Sequence, residues 1–194
     1  MRIGLYGGTF DPIHCGHLLV AQAASEELHL DRLVFIPAAR SPFKPERAGL
    51  DGSWRLKLLR LALAGRPEYM VSALELERGG ISFTIDTVER FRDSYPEGRF
   101  FCLIGMDHLG SLPLWKEAER LSRRVEFAVI PRPGSLPSEA PPGFRCHFLR
   151  GTPIDLSSSK VRERAQQRRP LVPFVLPVVA EAIERYQLYS REGV

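Results

Sequence analysis

Short apolar runs suited to strands alternate with longer stretches of helical periodicity along the whole chain. That alternation restricts the fold to a parallel sheet covered by helices on both faces, a doubly wound α/β architecture. IGLY (3–6) reads as the first strand, and HLLVAQAASEELHL (17–30), rich in alanine and leucine, as the first helix. RLVFIPA (32–38) is the next strand, and WRLKLLRLALAG (54–65) is a helix stopped by Gly65 with Pro67 just beyond. The run MVSALEL (70–76) leads to a helix in TIDTVERFRDSY (84–95), a strand RFFCLIGM (99–106), a short helix around WKEAERLS (115–122) and a strand VEFAVIPR (125–132). HFLRG (147–151) reads as one more strand, and SSSKVRERAQQ (157–167) and FVLPVVAEAIERYQLY (174–189) as closing helices, with Pro177 inside the first turns of the second. No repeat interrupts the pattern, so residues 1–194 read as one domain. PRPGSLPSEAPPG (131–143) reads as a surface loop, with a functional lid as the alternative.

In an open sheet of this class ligands bind beyond the carboxyl ends of the strands. The first such end carries GGTFDPIHCGH (7–17), which holds more polar and special residues than a turn needs. The dinucleotide fingerprint GxGxxG is absent, so the expectation is a Rossmann-like sheet without the usual NAD site. Gly7 and Gly8 can take backbone angles closed to other residues and bring main-chain N–H groups close to phosphate oxygens. Gly16 is expected to keep the start of the following helix open to a ligand. His14 and His17, three apart, share one face of that helix start. Three readings follow: donors to a phosphate, structural histidines, or metal ligands. Zinc wants three or four protein ligands, and no well-spaced third is visible.

A second cluster, Ser157, Ser158 and Ser159, precedes the helix KVRERAQQ, where hydroxyls cap and backbone N–H groups bind anions. Arg162 follows on the first turn, facing the same way as Ser159. An ordinary capped helix with a basic outer face is the plainer alternative.

GGTFDPIHCGH resembles the motif GGxFDPxHxGH of the nucleotidyltransferase superfamily, with every fixed position filled, and LSSSKVR (156–162) resembles its second motif, ISSTxIR. Within that superfamily, VSALELERGGISFTIDTVERF (71–91) and FFCLIGMDHLGSLPLWKEAERL (100–121) are similar to segments of the nicotinate-nucleotide adenylyltransferase family. ARSPFKPE (39–46) resembles that family's basic loop, usually PPHK, with Phe43 in place of histidine and Lys44 kept.

The resemblance implies transfer of an adenylyl group from ATP to nicotinate mononucleotide, with magnesium arriving on ATP and no protein cage for a metal. It implies that His14, His17, Arg162 and Lys44 carry the catalysis. ATP would be bound by Gly7, Gly8, Thr9, Phe10, Gly16, Gly105, Asp107, Ser157, Ser158 and Ser159. Nicotinate mononucleotide would be bound by Thr84, Ile85, Trp115 and Lys116. Physical chemistry supports several of these assignments directly. Backbone N–H groups at Thr84 and Ile85, where a helix begins, suit a carboxylate. Trp115 suits stacking on a pyridine ring, although without the resemblance packing of a helix on the sheet is the favoured reading of a tryptophan there. Asp107, at the end of a strand, suits ribose hydroxyls. His108 adjoins this site, whereas His29 and His147 have no companions in the sequence and read as structural or surface residues.

Composition narrows the partners. The chain has 194 residues, 44% hydrophobic and 26% charged, with a net charge of +4. That charge suits a small anionic substrate as well as nucleic acid, and the basic run RERAQQRR (162–169) has no interleaved aromatics, so no nucleic-acid partner is expected. No signal peptide and no run of about 18 apolar residues is visible, so no membrane partner is expected. Three cysteines form no CxxC pair, which fits a reducing cytoplasm. A homo-oligomer is compatible with the sequence and not required by it. Alternatives that stay open are another acceptor within the superfamily, such as phosphopantetheine, a nucleotide sensor without turnover, and an RNA-binding α/β domain.

Overall fold

The computed structural model describes residues 1–42, 49–131, 139–151 and 154–190. Six strands, β1 (Arg2–Gly8), β2 (Arg32–Pro37), β3 (Tyr69–Val71), β4 (Arg99–Gly105), β5 (Glu126–Ile130) and β6 (Cys146–Phe148), form one sheet in the order β3-β2-β1-β4-β5-β6. Every pairing is parallel. The order reverses direction between β1 and β4, which makes their carboxyl ends the switch point where such sheets bind ligands.

Alternation along the strands sorts the core into two faces. Leu33, Phe35, Phe101 and Leu103 face one side with α1 (Cys15–Glu27), α2 (Gly52–Leu63), α6 (Ser158–Gln166) and α7 (Pro177–Arg185). Val34, Ile36, Phe100, Cys102 and Ile104 face the other with α4 (Thr84–Ser94), α5 (Ala118–Arg124) and the 3-10 segment Met106–Leu114. Four of the six residues of β2, Leu33 to Ile36, are no more than 1% exposed, the signature of a strand covered on both sides.

The departures from the sequence reading have local causes. The first helix begins at Cys15, not His17, because His14 is its cap. MVSALEL is split: β3 ends at Val71, the Ser72 Oγ accepts from the Leu74 N–H at 3.3 Å, and a five-residue helix α3 (Leu74–Arg78) follows. Pro177 is the first residue of α7 rather than an interior one, the position where its missing N–H costs nothing. The segment Met106–Leu114 forms a 3-10 helix that apolar periodicity did not reveal. His147 does have a companion, since its Nε2 lies 2.7 Å from Glu126 Oε2 across β5 and β6. Most of the 131–143 loop lies outside the described residues.

Candidate active site

The turn after β1 does not rest on strained glycines. Gly7 and Gly8 remain in the strand ladder, paired with Ile36 and Pro37, and neither has a positive φ. The left-handed residue is Phe10, at φ 49°, whose ring is 1% exposed. A Cβ on Gly8 would sit 3.0 Å from that ring, whereas one on Gly7 would meet nothing within 4 Å. Gly8 therefore admits the anchoring phenylalanine, and Gly7 marks the open side of the turn.

His14 caps α1 and His17 occupies its third position. The backbone N–H of His14 donates to His17 Nδ1 at 3.1 Å, which puts the proton of a neutral His17 on Nε2. The two rings stack at 3.7 Å with an interplanar angle of 30°. Burial pushes the His14 pKa down to about 4, so at neutral pH the stacked pair does not carry two charges. His14 Nδ1 is buried with no hydrogen-bond partner among the described residues. Such an atom costs free energy until something pairs with it. A Cβ on Gly16 would lie 3.1 Å from both Cε1 and Nδ1 of His14, so this glycine makes room for the imidazole as well as for a ligand.

The second motif is fastened to the first. Ser157 caps α6 by accepting from the Lys160 N–H at 3.3 Å, and Val161 buries itself in the core. The Ser158 hydroxyl donates to the Pro12 carbonyl at 2.9 Å. Arg162 donates through Nη1 to the Asp11 carbonyl at 2.7 Å and through Nη2 to Ser159 Oγ at 3.1 Å. Those two bonds use two of its five N–H groups, leaving a cationic fork with donors to spare.

The residue that sequence reasoning missed is Asp11. Its carboxylate is 7% exposed and accepts from the Tyr189 hydroxyl at 2.8 Å and the Leu50 N–H at 3.3 Å, with Arg162 Nη1 at 3.7 Å. Arg55, also buried, donates to the Thr9 carbonyl at 2.8 Å and the Leu50 carbonyl at 3.2 Å. Three distant segments thus grip one loop. The available signal was an aspartate inside the motif with no assigned task.

Across the switch point the residues expected to hold the second substrate gather around a cavity of about 100 Å³, lined by Pro42, Phe83, Thr84, Leu114, Trp115, Lys116 and Leu121. Thr84 and Ile85 begin α4; Thr84 lines the cavity, whereas Ile85 does not and its side chain is buried in the core. Trp115 packs on the sheet, its ring edge-on to Phe127 at 6.3 Å and its Nε1–H donating to Ser111 Oγ at 3.2 Å, and it also lines the cavity. Lys116 is engaged, with Nζ 3.0 Å from Asp86 Oδ1 and 4.8 Å from the Phe83 ring centroid. Gly105 ends β4, and Asp107 follows in the first turn of the 3-10 segment, exposed, with His108 Nε2 at 3.8 Å. Lys44 lies outside the described residues. Among the described residues no group of three or more His, Cys, Asp or Glu side chains could hold a metal ion.

Comparison with known proteins bears on this arrangement. The model of the cytidylyltransferase-like family matches residues 5–164. A protein of Shouchella clausii named "Probable nicotinate-nucleotide adenylyltransferase" is 42% identical over 190 residues, covering 97% of each chain. One of the same name from Thermus thermophilus is 40% identical over 189 residues, covering 97% of this chain and all of its own. The solved Plasmodium falciparum nicotinic acid mononucleotide adenylyltransferase complexed with NaAD shares the fold, with a TM-score of 0.79 at 18% identity over 97% of both chains. With two motifs docked on each other at the switch point and near-full-length relatives of one name, the chain belongs to the nicotinate-nucleotide adenylyltransferase family of cytidylyltransferase-like proteins.

Proposed function

We propose that this enzyme transfers the adenylyl group of ATP to nicotinate mononucleotide, releasing pyrophosphate and forming nicotinate adenine dinucleotide, a step of NAD biosynthesis. Family membership supports the reaction, and one observation supports its location: Arg162 and Ser158 of the second motif are hydrogen-bonded to the Asp11 and Pro12 carbonyls of the first. That contact makes a single site with cationic and neutral donors at the mouth of β1.

The acceptor phosphate attacks the α-phosphorus of ATP as pyrophosphate departs, so charge grows on the phosphate oxygens and the protein's task is positioning and stabilisation. The His17 Nε2–H, fixed by the Nδ1 bond to the His14 backbone, is a donor that needs no reorganisation. His14, neutral and with a buried unpaired Nδ1, is the second imidazole facing the phosphates. Arg162 and the serines at the start of α6 hold the β- and γ-phosphates. Backbone N–H groups of Gly8, Thr9 and Phe10 and the open flank of Gly7 seat the two nucleotides, with Gly16 clearing the helix start. Gly105 and Asp107 serve the adenosine. Lys44 adds a cation on the phosphates. Magnesium would arrive on ATP, not on a protein cage, and would supply further charge neutralisation. The α4 N-terminus at Thr84 and Ile85 receives the nicotinate carboxylate, and Trp115 receives the ring. Lys116, tied to Asp86, supports that wall.

The test is pyrophosphate release from ATP and magnesium with nicotinate mononucleotide, nicotinamide mononucleotide or phosphopantetheine as acceptor. Fast release with the first alone is the expected result. Release only with another acceptor overturns the substrate, and silence with all three in a folded, ATP-binding protein overturns the reaction.

A further inference from the structure

At the opposite end of the sheet lies a cavity of about 220 Å³ that the reaction does not use. Arg99 opens β4, Arg145 stands just before β6, and Arg92, Arg123 and Arg124 come from the last turns of α4 and α5. Five arginines therefore line one concavity. The carboxylates in its wall are Glu97 and Glu126, which leaves three positive charges in excess.

The pairing pattern places that excess. Glu126, 3% exposed, is fully engaged: Arg99 Nη2 meets its Oε2 at 2.9 Å and Arg99 Nε its Oε1, while His147 Nε2 lies 2.7 Å from Oε2. The bond from Arg99 holds the Glu126 carboxyl down at about 2, so this floor stays ionised at any ordinary pH. Arg145 comes no nearer than 3.8 Å to the same carboxylate. Arg92 donates to the Arg124 carbonyl, at 3.3 Å, and not to a carboxylate among the described residues. Arg124 shares Glu89 with Arg120, and Arg123 pairs with the exposed Glu119, but neither glutamate lines the cavity. The Arg123–Glu119 pair is exposed and holds its partner weakly, and Glu89 divides its charge between Arg120 and Arg124. Part of the cluster answers the negative carboxyl ends of α4 and α5. That role does not require Arg99 and Arg145, which come from the sheet.

We propose that this cavity is a second anion site, one that takes a small phosphate-bearing ligand of two or three phosphates. Guanidinium forks match phosphate oxygens in pairs, and an excess of three charges suits a ligand of that charge. Phe100, the one aromatic residue of the lining, is buried and offers no face for a base to stack on, which favours a compact anion over single-stranded nucleic acid. Arg99 and Gly105 are the two ends of β4, about 20 Å apart at roughly 3.3 Å per residue, so one small ligand cannot occupy this cavity and the catalytic turn together.

The experiment is a titration of the isotope-labelled, full-length protein with inorganic tripolyphosphate, followed by backbone amide resonances. Two separate sets should move: one around Gly8, Gly16 and Ser159, and one around Gly98 and Val125. In Arg92→Ala/Arg145→Ala the second set should need at least tenfold more tripolyphosphate, with turnover within twofold of the parent. Arg145→Lys, which keeps the charge and loses the fork, should weaken the second set several-fold and guards against a folding artefact. Movement of the first set alone, or an unchanged second set in the double variant, overturns the proposal. Binding of a labelled single-stranded RNA that is lost in the double variant, without tripolyphosphate shifts at Gly98, also overturns it in favour of a nucleic-acid surface.

Discussion

The two ends of the candidate active site are held to different standards. Around the turn at residues 9–17, groups from α2, α6 and the chain's last described turn converge: Arg55 on the Thr9 carbonyl, Arg162 on the Asp11 carbonyl, Ser158 on the Pro12 carbonyl and Tyr189 on the Asp11 carboxylate. Among the described residues the cavity around Thr84 and Trp115 is framed by fewer long-range bonds: a helix start without a side-chain cap, an indole bond to Ser111 and a partly exposed Lys116–Asp86 pair. Leu114 beside it is 87% exposed. Donors that stabilise charge developing at phosphorus must be in place before the reaction, whereas a flat ring needs a wall and a few orphan N–H groups. The denser set of hydrogen bonds lies where reorganisation would slow the proposed chemistry.

The sharpest way to break this contrast is His17→Ala. Removing a preorganised donor should lower kcat by roughly two to three powers of ten with the fold intact. Turnover near the parent value, in the pyrophosphate assay, would remove His17 from its role and the contrast with it. Asp11→Asn comes next, because it keeps the shape of the loop and loses the charge beside Arg162. We expect kcat to fall about tenfold with KM for the acceptor little changed, the scale of one hydrogen bond to a charged group. A change confined to the acceptor KM would place Asp11 with the ring pocket instead.

Trp115→Ala sharpens the other side. Loss of a stacking surface should raise the KM for nicotinate mononucleotide about tenfold while kcat holds, within the ~1–3 kcal/mol typical of base–aromatic stacking. Trp115→Phe should recover most of it, and equal losses in kcat would show that the indole positions reacting atoms. The last test reads stability instead of turnover. His14 has a folded pKa of about 4 against an ordinary 6.5, so between those values the unfolded chain binds more protons than the folded one. The stabilisation is complete above about pH 6.5 and is lost as the pH falls towards 4. Melting curves of His14→Gln across that window should be flatter than those of the parent, and parallel curves would show that His14 is not buried neutral.

How far the sequence led is clearest in particular residues. Alternating strand and helix periods gave the architecture because both periods are local, and the serines at 157–159 announced a helix start because capping is local too. The split of MVSALEL depended on one serine competing for a backbone N–H, a choice that periodicity cannot see. Lys116 has its Nζ 3.0 Å from Asp86, 30 residues away, a contact that no local pattern foretells. His147 looked solitary until β6 paired beside β5 and brought it to Glu126.

By itself the sequence determined the order of elements, the two motifs and the chemistry their residue types allow, since turn glycines, imidazoles, hydroxyls and a guanidinium carry those properties wherever they stand. Only the tertiary structure decided which strand lies beside β1, that Tyr189 reaches Asp11 across 178 residues, and that His14 is buried and neutral. Those outcomes depend on desolvation and on hydrogen-bond partners from distant segments, and such quantities exist only once the sheet has brought the segments together.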